Sequence, residues 1–273
     1  MVPSDGGIRR SMKVMLRRRL WRLNVALAVL GLTVACAGRG DRSDNEATGG
    51  APPLLAAGSH LMIVTDNGLR LRPADAGRVA VDDHVDRRWS RHDDTWTLDL
   101  SCPDRAEYAG AVPDADSDGV CPRMPRVSVP DAVRVTVRAR NAGIDVAGVA
   151  AALDLTTVNG DVTVADSGPD DGAVRLSTRN GSVRATAVEG SRLYAATVNG
   201  DIVLGCAEAP AGVTAATTNG SVGVTVPHDS PAYRVTATTD NGTSRPALGG
   251  SDDGQGQAMT LSTVNGDVTA RRE

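Results

Sequence analysis

Thr157-Val158-Asn159-Gly160 returns, with small changes, five more times along this chain. The other copies are Thr178-Arg179-Asn180-Gly181, Thr197-Val198-Asn199-Gly200, Thr217-Thr218-Asn219-Gly220, Thr239-Asp240-Asn241-Gly242 and Thr263-Val264-Asn265-Gly266. A degenerate copy, Asn141-Ala142-Gly143, precedes them, and successive Asn positions lie 18, 21, 19, 20, 22 and 24 residues apart. A period of that size marks stacked repeats.

The flanks of each copy alternate. At six and four residues before Asn stand Leu153 and Leu155, Val174 and Leu176, Leu193 and Ala195, Val213 and Ala215, Val235 and Ala237, and Met259 and Leu261. At three and five residues after it stand Val162 and Val164, Val183 and Ala185, Ile202 and Leu204, Val222 and Val224, and Val268 and Ala270. The residues between are mostly polar, so each flank predicts a strand with one buried and one wet face.

Two all-β architectures satisfy this pattern. Asn-Gly is a favoured two-residue hairpin turn, which gives an antiparallel meander. Alternatively each Asn-Gly pair (Asn159 and Gly160, Asn180 and Gly181, Asn199 and Gly200, Asn219 and Gly220, Asn241 and Gly242, Asn265 and Gly266) is a structural corner, and parallel coils stack into a β-solenoid. Thr recurs two residues before Asn in all six copies. A hairpin has no need of that identity, whereas stacked Asn and Thr columns can hydrogen-bond from coil to coil, so stacking is favoured.

The Thr-x-Asn-Gly-x-Val repeats resemble a family of bacterial exported β-solenoid proteins of unknown function described as adhesins. The resemblance covers residues 133–273, and more loosely the segment 61–130 with its cysteine pair. It implies the solenoid fold and is silent on chemistry. The copy at Asn241 departs from the pattern, with Ser244 and Pro246 at the inward positions, which predicts weaker pairing there and a mobile loop over 246–257.

Upstream, short alternating runs such as Leu61-Met62-Ile63-Val64, Leu69-Arg70-Leu71 and Thr95-Trp96-Thr97-Leu98 are bounded by turn formers, including Asp66-Asn67-Gly68. Residues 60–130 therefore read as a small β cap on the first edge of a repeat domain spanning 131–273, with Trp89 and Trp96 in its core. At the far edge the charges of Arg271, Arg272 and Glu273 would deter edge pairing.

The N-terminus reads as an address. Seven basic residues from Arg9 to Arg22 precede an apolar run of 11 residues, Val25–Ala35, which is too short to span a membrane and has the layout of a secretory signal peptide over 1–35. Leu32-Thr33-Val34-Ala35-Cys36 resembles a lipobox, which would make Cys36 the lipidated first residue; ordinary cleavage after Ala37 and release as a secreted protein is the alternative. Arg17-Arg18-Arg19 has some likeness to a twin-arginine signal. Residues 36–59, with Gly, Asp, Arg, Ser, Thr and Pro and little periodicity, read as a disordered tether.

Removing residues 1–35 takes seven from 29 basic residues and one from 33 acidic residues, leaving 22 against 32 and a net charge of −10. Such an exterior disfavours nucleic acid. In an exported protein Cys102 and Cys121 are candidates for a disulfide, with two free thiols as the alternative, and Cys206 reads as a small buried hydrophobe.

Few residues suggest chemistry. Asp114, Asp116, Asp118 and Gly119 match the opening of a calcium loop, but Pro125 stands where an EF-hand requires Glu, and an acidic surface loop explains the run equally well. Calcium is the one cofactor left open. Asp161, Asp201 and Asp267 share the position two after Asn, and Asp161 and Asp201 would lie two coils apart, near the upper limit of the roughly 6.5–9.5 Å of an inverting glycosidase. Ser182 lies between them, and Asp after Asn-Gly is ordinary turn chemistry. His60, His84, His92 and His228 have no metal-like spacing and read as solvated surface residues.

The sequence thus predicts a non-enzymatic, exported, lipid-anchored envelope protein with no catalytic residue. Its outward coil faces, including Arg175, Arg184, Arg192 and Tyr194, would meet an envelope protein or glycan. The alternatives are a polysaccharide-acting hydrolase using the acidic column, and an accessory partner of a membrane signalling or transport complex.

Overall fold

A computed structural model describes residues 47–48, 53–75, 77–83, 85–102, 124–248 and 257–273, all within one compact unit, Ser43–Glu273. Cys36, Cys121, His84, Asp114, Asp116, Asp118 and most of the expected loop over 246–257 lie outside the described residues.

Alternation of apolar and polar residues produces strands and no helix among the described residues. Before the repeats come β1 (Ala47–Thr48), β2 (His60–Val64), β3 (Leu69–Pro73), β4 (Ala80–Val81), β5 (Arg88–His92), β6 (Thr95–Asp99) and β7 (Arg126–Val129). The regular repeats supply β8 (Arg134–Arg138), β9 (Ile144–Ala147), β10 (Ala152–Thr156), β11 (Val162–Ser167), β12 (Ala173–Ser177), β13 (Val183–Val188), β14 (Arg192–Ala196), β15 (Ile202–Cys206), β16 (Gly212–Ala216) and β17 (Val222–Val226). The C-terminal part adds β18 (Tyr233–Asn241), β19 (Ser244–Pro246), β20 (Gln257–Asn265) and β21 (Val268–Arg272).

These strands form two sheets. One has the order β1-β5-β6-β2-β8-β10-β12-β14-β16-β20-β18, the other β19-β21-β17-β15-β13-β11-β9-β3-β7-β4. The two strands flanking each Asn-Gly corner fall in different sheets, and each pairs in parallel with its equivalent one coil away, as Leu155 does with Leu176 and Val164 with Ala185. This is the geometry of stacked coils; the hairpin meander would have put both flanks in one antiparallel ladder. Nine coils can be traced among the described residues, which at about 4.8 Å per step gives a rod about 40 Å long.

The core is one narrow file between the sheets. Leu153, Leu155, Val162 and Val164 close one coil, Val174, Leu176, Val183 and Ala185 the next, and all are buried. The chain contains no phenylalanine, in keeping with a cavity only two aliphatic side chains deep.

Both ends of the stack depart from the sequence expectation. Residues 60–73 are not part of a separate cap: β2 pairs in parallel with β8 and β3 with β9, so this segment is a coil of the same rod, and β6 with β7 forms another beyond it. Among the described residues only β1, β4 and β5 run antiparallel and cover that edge, and the expected disordered tether over 36–59 is in part structure: β1 pairs with β5, and Leu55 is buried in the core.

At the other end the coils are out of chain order. β16 pairs with β20, and β18 lies outside β20, so the last coil in sequence is inserted beneath the one before it. Arg271 and Arg272 sit on an interior strand, β21, between β17 and β19. The Asn241 copy is the terminal coil, paired over Tyr233–Thr239 and Asn241 of β18 but over only three residues of β19. Pro246 has no N–H to donate, and an edge is where a strand tolerates that loss.

Candidate functional site

The corners carry the densest polar network. Asn180 Nδ2 donates to Asn159 Oδ1 at 2.9 Å, Asn199 to Asn180 at 2.9 Å, Asn219 to Asn199 at 2.9 Å, Asn265 to Asn219 at 2.8 Å and Asn241 to Asn265 at 2.8 Å. The ladder follows spatial order and not chain order. The threonines do something different from the expected Thr–Thr ladder. Thr178, Thr197 and Thr217 are buried, and their Oγ1 donates to the carbonyls of Gly160, Gly181 and Gly200 in the preceding coil at 2.8–2.9 Å. Thr263 and Thr239 repeat the bond to Gly220 and Gly266 at 2.8 Å.

Glycine is needed at these corners for two reasons. Gly160, Gly200, Gly220 and Gly266 have φ between 144° and 151°, and a Cβ at Gly200 would be driven into the carbonyl of Gly181.

The acidic column has a structural explanation. In spatial order it reads Asp161, Ser182, Asp201, Ser221, Asp267, Thr243, alternating a carboxylate with a hydroxyl. Asp161 Oδ1 accepts the backbone N–H of Ser182, Asp201 Oδ1 that of Ser221, and Asp267 Oδ1 that of Thr243, each at 2.7 Å. The second oxygen of Asp161 also meets Arg184 at 3.1 Å, an exposed pair worth little by itself. Carboxylates are thus spaced two coils apart with a neutral residue between, which limits repulsion and ties adjacent corners together.

The four residues expected on one interaction face are divided between two. Arg184 lies on the sheet that contains β13, beside Asp161; Arg175, Arg192 and Tyr194 lie on the other sheet. There the Arg175 guanidinium sits 4.8 Å from the Tyr194 ring centroid. Arg192 and Tyr194 border a depression of about 200 Å³ whose floor is Gly212 and Ala258, with Thr214 and Thr260 alongside. It exists because Gly212 and Ala258 carry almost no side chain between Arg192 and Arg234 in the same row.

Other singled-out residues are structural. His60 is not simply solvated: its ring nitrogens meet Thr136 Oγ1 at 2.9 Å and Thr95 Oγ1 at 3.3 Å, and burial together with Arg134 lowers its pKa. Trp89 is buried and meets the half-buried Trp96 edge-to-face at 6.5 Å. Burial pushes the Cys206 thiol up to about 12, which removes it from thiolate chemistry. Cys102 is disulfide-bonded, to a partner outside the described residues. No cluster of three or more His, Cys, Asp or Glu side chains with metal-binding geometry occurs among the described residues.

The match of a family model to residues 127–271, more than half of the sequence, decides the relationship. The chain belongs to the Toastrack DUF4097 family. Two solved structures are similar to this Toastrack chain. One, a putative cell adhesion protein from Clostridium sporogenes, is 9% identical, covers 84% of this chain and 99% of its own, and has a TM-score of 0.38. The other, a putative adhesin from Bacteroides fragilis, is 12% identical over 82% of this chain and 95% of its own, with a TM-score of 0.36. No curated protein matches the sequence.

The Toastrack rod reaches beyond the matched residues, through β6 and β7 to β2 and β3. Its corner at Asn67-Gly68 escapes the repeat count because Leu69 and Leu71 stand two and four residues after Asn instead of three and five. The signal that could have found it was Leu61, Ile63 and Thr65 at the regular positions before that Asn. Likewise the alternation Asp161, Ser182, Asp201, Ser221 was visible in chain order, but its continuation through Asp267 and Thr243 appears only when the last two Toastrack coils exchange places.

Proposed function

We propose that this Toastrack protein is exported, held at the outer side of a membrane by a lipid on Cys36, and presents its β-solenoid as a non-catalytic, adhesin-like interaction surface. The carrying observation is the use of the corner acids. Asp161, Asp201 and Asp267 each accept a backbone N–H of the next coil through one oxygen, the work of a strut between coils, and Asp161 turns its second oxygen to Arg184. The outward row of Arg175, Tyr194 and Thr214 offers a guanidinium, a phenol and a hydroxyl on a rigid sheet, a suitable surface for a glycan or an envelope protein. The signal-peptide layout of residues 1–35 and the lipobox-like Leu32–Cys36 support that location.

Intact mass and membrane partition of the full chain expressed in a bacterial host, with and without Cys36→Ala, test the anchor. The expected result is a mature mass beginning at Cys36 with a diacylglyceryl adduct, lost in the variant; an unmodified, freely soluble product from the wild type would overturn it. Changing Asp161 and Asp201 together to Asn separates surface from hydrolase. Release of sugar from envelope polysaccharide by the wild type, abolished in the double variant, would sink the non-catalytic reading.

A further inference from the structure

The two ends of the rod are finished differently. At the far end from β18, the outermost strands among the described residues are β1 and β4, two residues each and antiparallel to their neighbours, so each offers only a short edge. At the other end the eleven-stranded sheet stops on β18, nine residues long, with Tyr233–Thr239 and Asn241 in one register against β20. β18 contains no proline and no register shift, and its two exposed charges, Arg234 and Asp240, are of opposite sign, so they do not repel a strand of the same sequence run antiparallel. Its inward residues Val235 and Ala237 are only half-buried, whereas Val213, Ala215, Met259 and Leu261 in the same two columns are buried. Among the described residues the apolar file therefore ends open.

The sequence of β18 says what fits there. Around Ala237 it is charge-palindromic: Thr236 and Thr238 are adjacent to it, Val235 and Thr239 follow, and Arg234 and Asp240 stand three residues to either side. We infer that the open end binds the open end of a second copy of this chain, with β18 pairing antiparallel to its two-fold mate about Ala237. In that register Arg234 lies opposite Asp240 of the partner and Asp240 opposite the partner's Arg234, both on the solvent face, and Thr236 faces Thr238 twice. Val235 and Ala237 of both copies close the apolar file across the joint. The contact is isologous and self-limiting, because a like-end pair uses up both open edges and leaves only the blunted ends outside. β19 adds little, since it is three residues long and ends on Pro246.

The test is the mass of the full-length chain in mild detergent, by sedimentation from low to high micromolar concentration. Wild type is expected as a dimer in equilibrium with monomer. Arg234→Asp and Asp240→Arg each place like charges opposite one another twice and should raise the dissociation constant at least about tenfold. The double variant R234D/D240R restores opposite charges and should return it to near the wild-type value. Both side chains are exposed in the single chain, so at concentrations where wild type is monomeric the thermal transition should not move. Ala237→Cys gives an independent readout: the two-fold sets it opposite its mate, within the roughly 4.4–6.8 Å Cα separation of a disulfide, and oxidation should yield a covalent dimer absent from wild type. A chain that stays monomeric, a dimer indifferent to the single reversals or not restored by the double one, or no covalent dimer from Ala237→Cys would overturn the inference.

Discussion

Replacing Gly200 with alanine tests the central structural claim, that the corners hold the coils at a spacing no side chain permits. Gly200 has φ 151°, where an L-residue costs about 1–3 kcal/mol. Its new Cβ would be driven into the Gly181 carbonyl, and that oxygen is the acceptor for the buried Thr197 hydroxyl at 2.8 Å. Moving the carbonyl to relieve the clash leaves Thr197 without its partner, at about 1–3 kcal/mol for a buried unsatisfied hydroxyl. The two effects together come to about 2–6 kcal/mol, a large share of the about 5–15 kcal/mol that keeps a domain folded. Urea unfolding followed by far-ultraviolet circular dichroism measures the loss directly. Gly77→Ala is the matched control, because nothing lies within 4 Å of the methyl it would add. A Gly200→Ala variant as stable as Gly77→Ala, within about 0.5 kcal/mol, would refute the argument that coil contact dictates glycine here.

Two further outcomes follow from the core. Val162→Asp puts a carboxylate into a column where Ile144 and Val183 pack above and below, and should cost several kcal/mol, seen as a lowered urea midpoint or as failure to accumulate folded protein. Cys206 should resist alkylation in the folded chain near pH 8 and react once urea unfolds it. Because burial raises this thiol from 9.0 to about 12, the neutral folded form is favoured; its contribution to stability is complete below about pH 9 and is lost as the pH rises toward 12, with the buried Tyr233 phenol shifted in the same direction. Equilibrium unfolding measured between those pH values should show stability falling, and a stability that rises over that range would contradict the burial of both groups.

Strand faces were legible in the sequence because they depend only on period two. Leu193 and Ala195 before Asn199, and Ile202 and Leu204 after it, are buried as their spacing predicts. The choice of stacking over hairpins was legible too, from the repeated Thr: the hydroxyl at that position bonds the neighbouring coil's glycine carbonyl, a partner that exists only in a stack. The candidate interaction face was read less well. Alternation tells which residues point outward but not toward which sheet, so Arg184 was grouped with Arg175 and Tyr194 although the corner between them sends it to the other side.

By itself, then, the chain's local pattern determined the all-β class, the inward columns and the Asn-Gly corners, because each is settled within about ten residues of backbone. Only the tertiary structure decided the order of the coils. Met259, Leu261, Val268 and Ala270 need an apolar neighbour on both sides, which β16 and β17 on one side and β18 and β19 on the other provide. Val235 and Ala237, with Ser244 and Pro246 beyond the corner, can bear an open side, so the stack is better covered when the last coil slips beneath the one before it. That preference is a comparison between two long-range pairings of similar local sequence, and no spacing along the chain distinguishes them. The same exchange carries the alternation of Asp and hydroxyl through the last two corners and leaves β18 as the terminal strand of its sheet, the edge on which the proposed pairing of two copies rests.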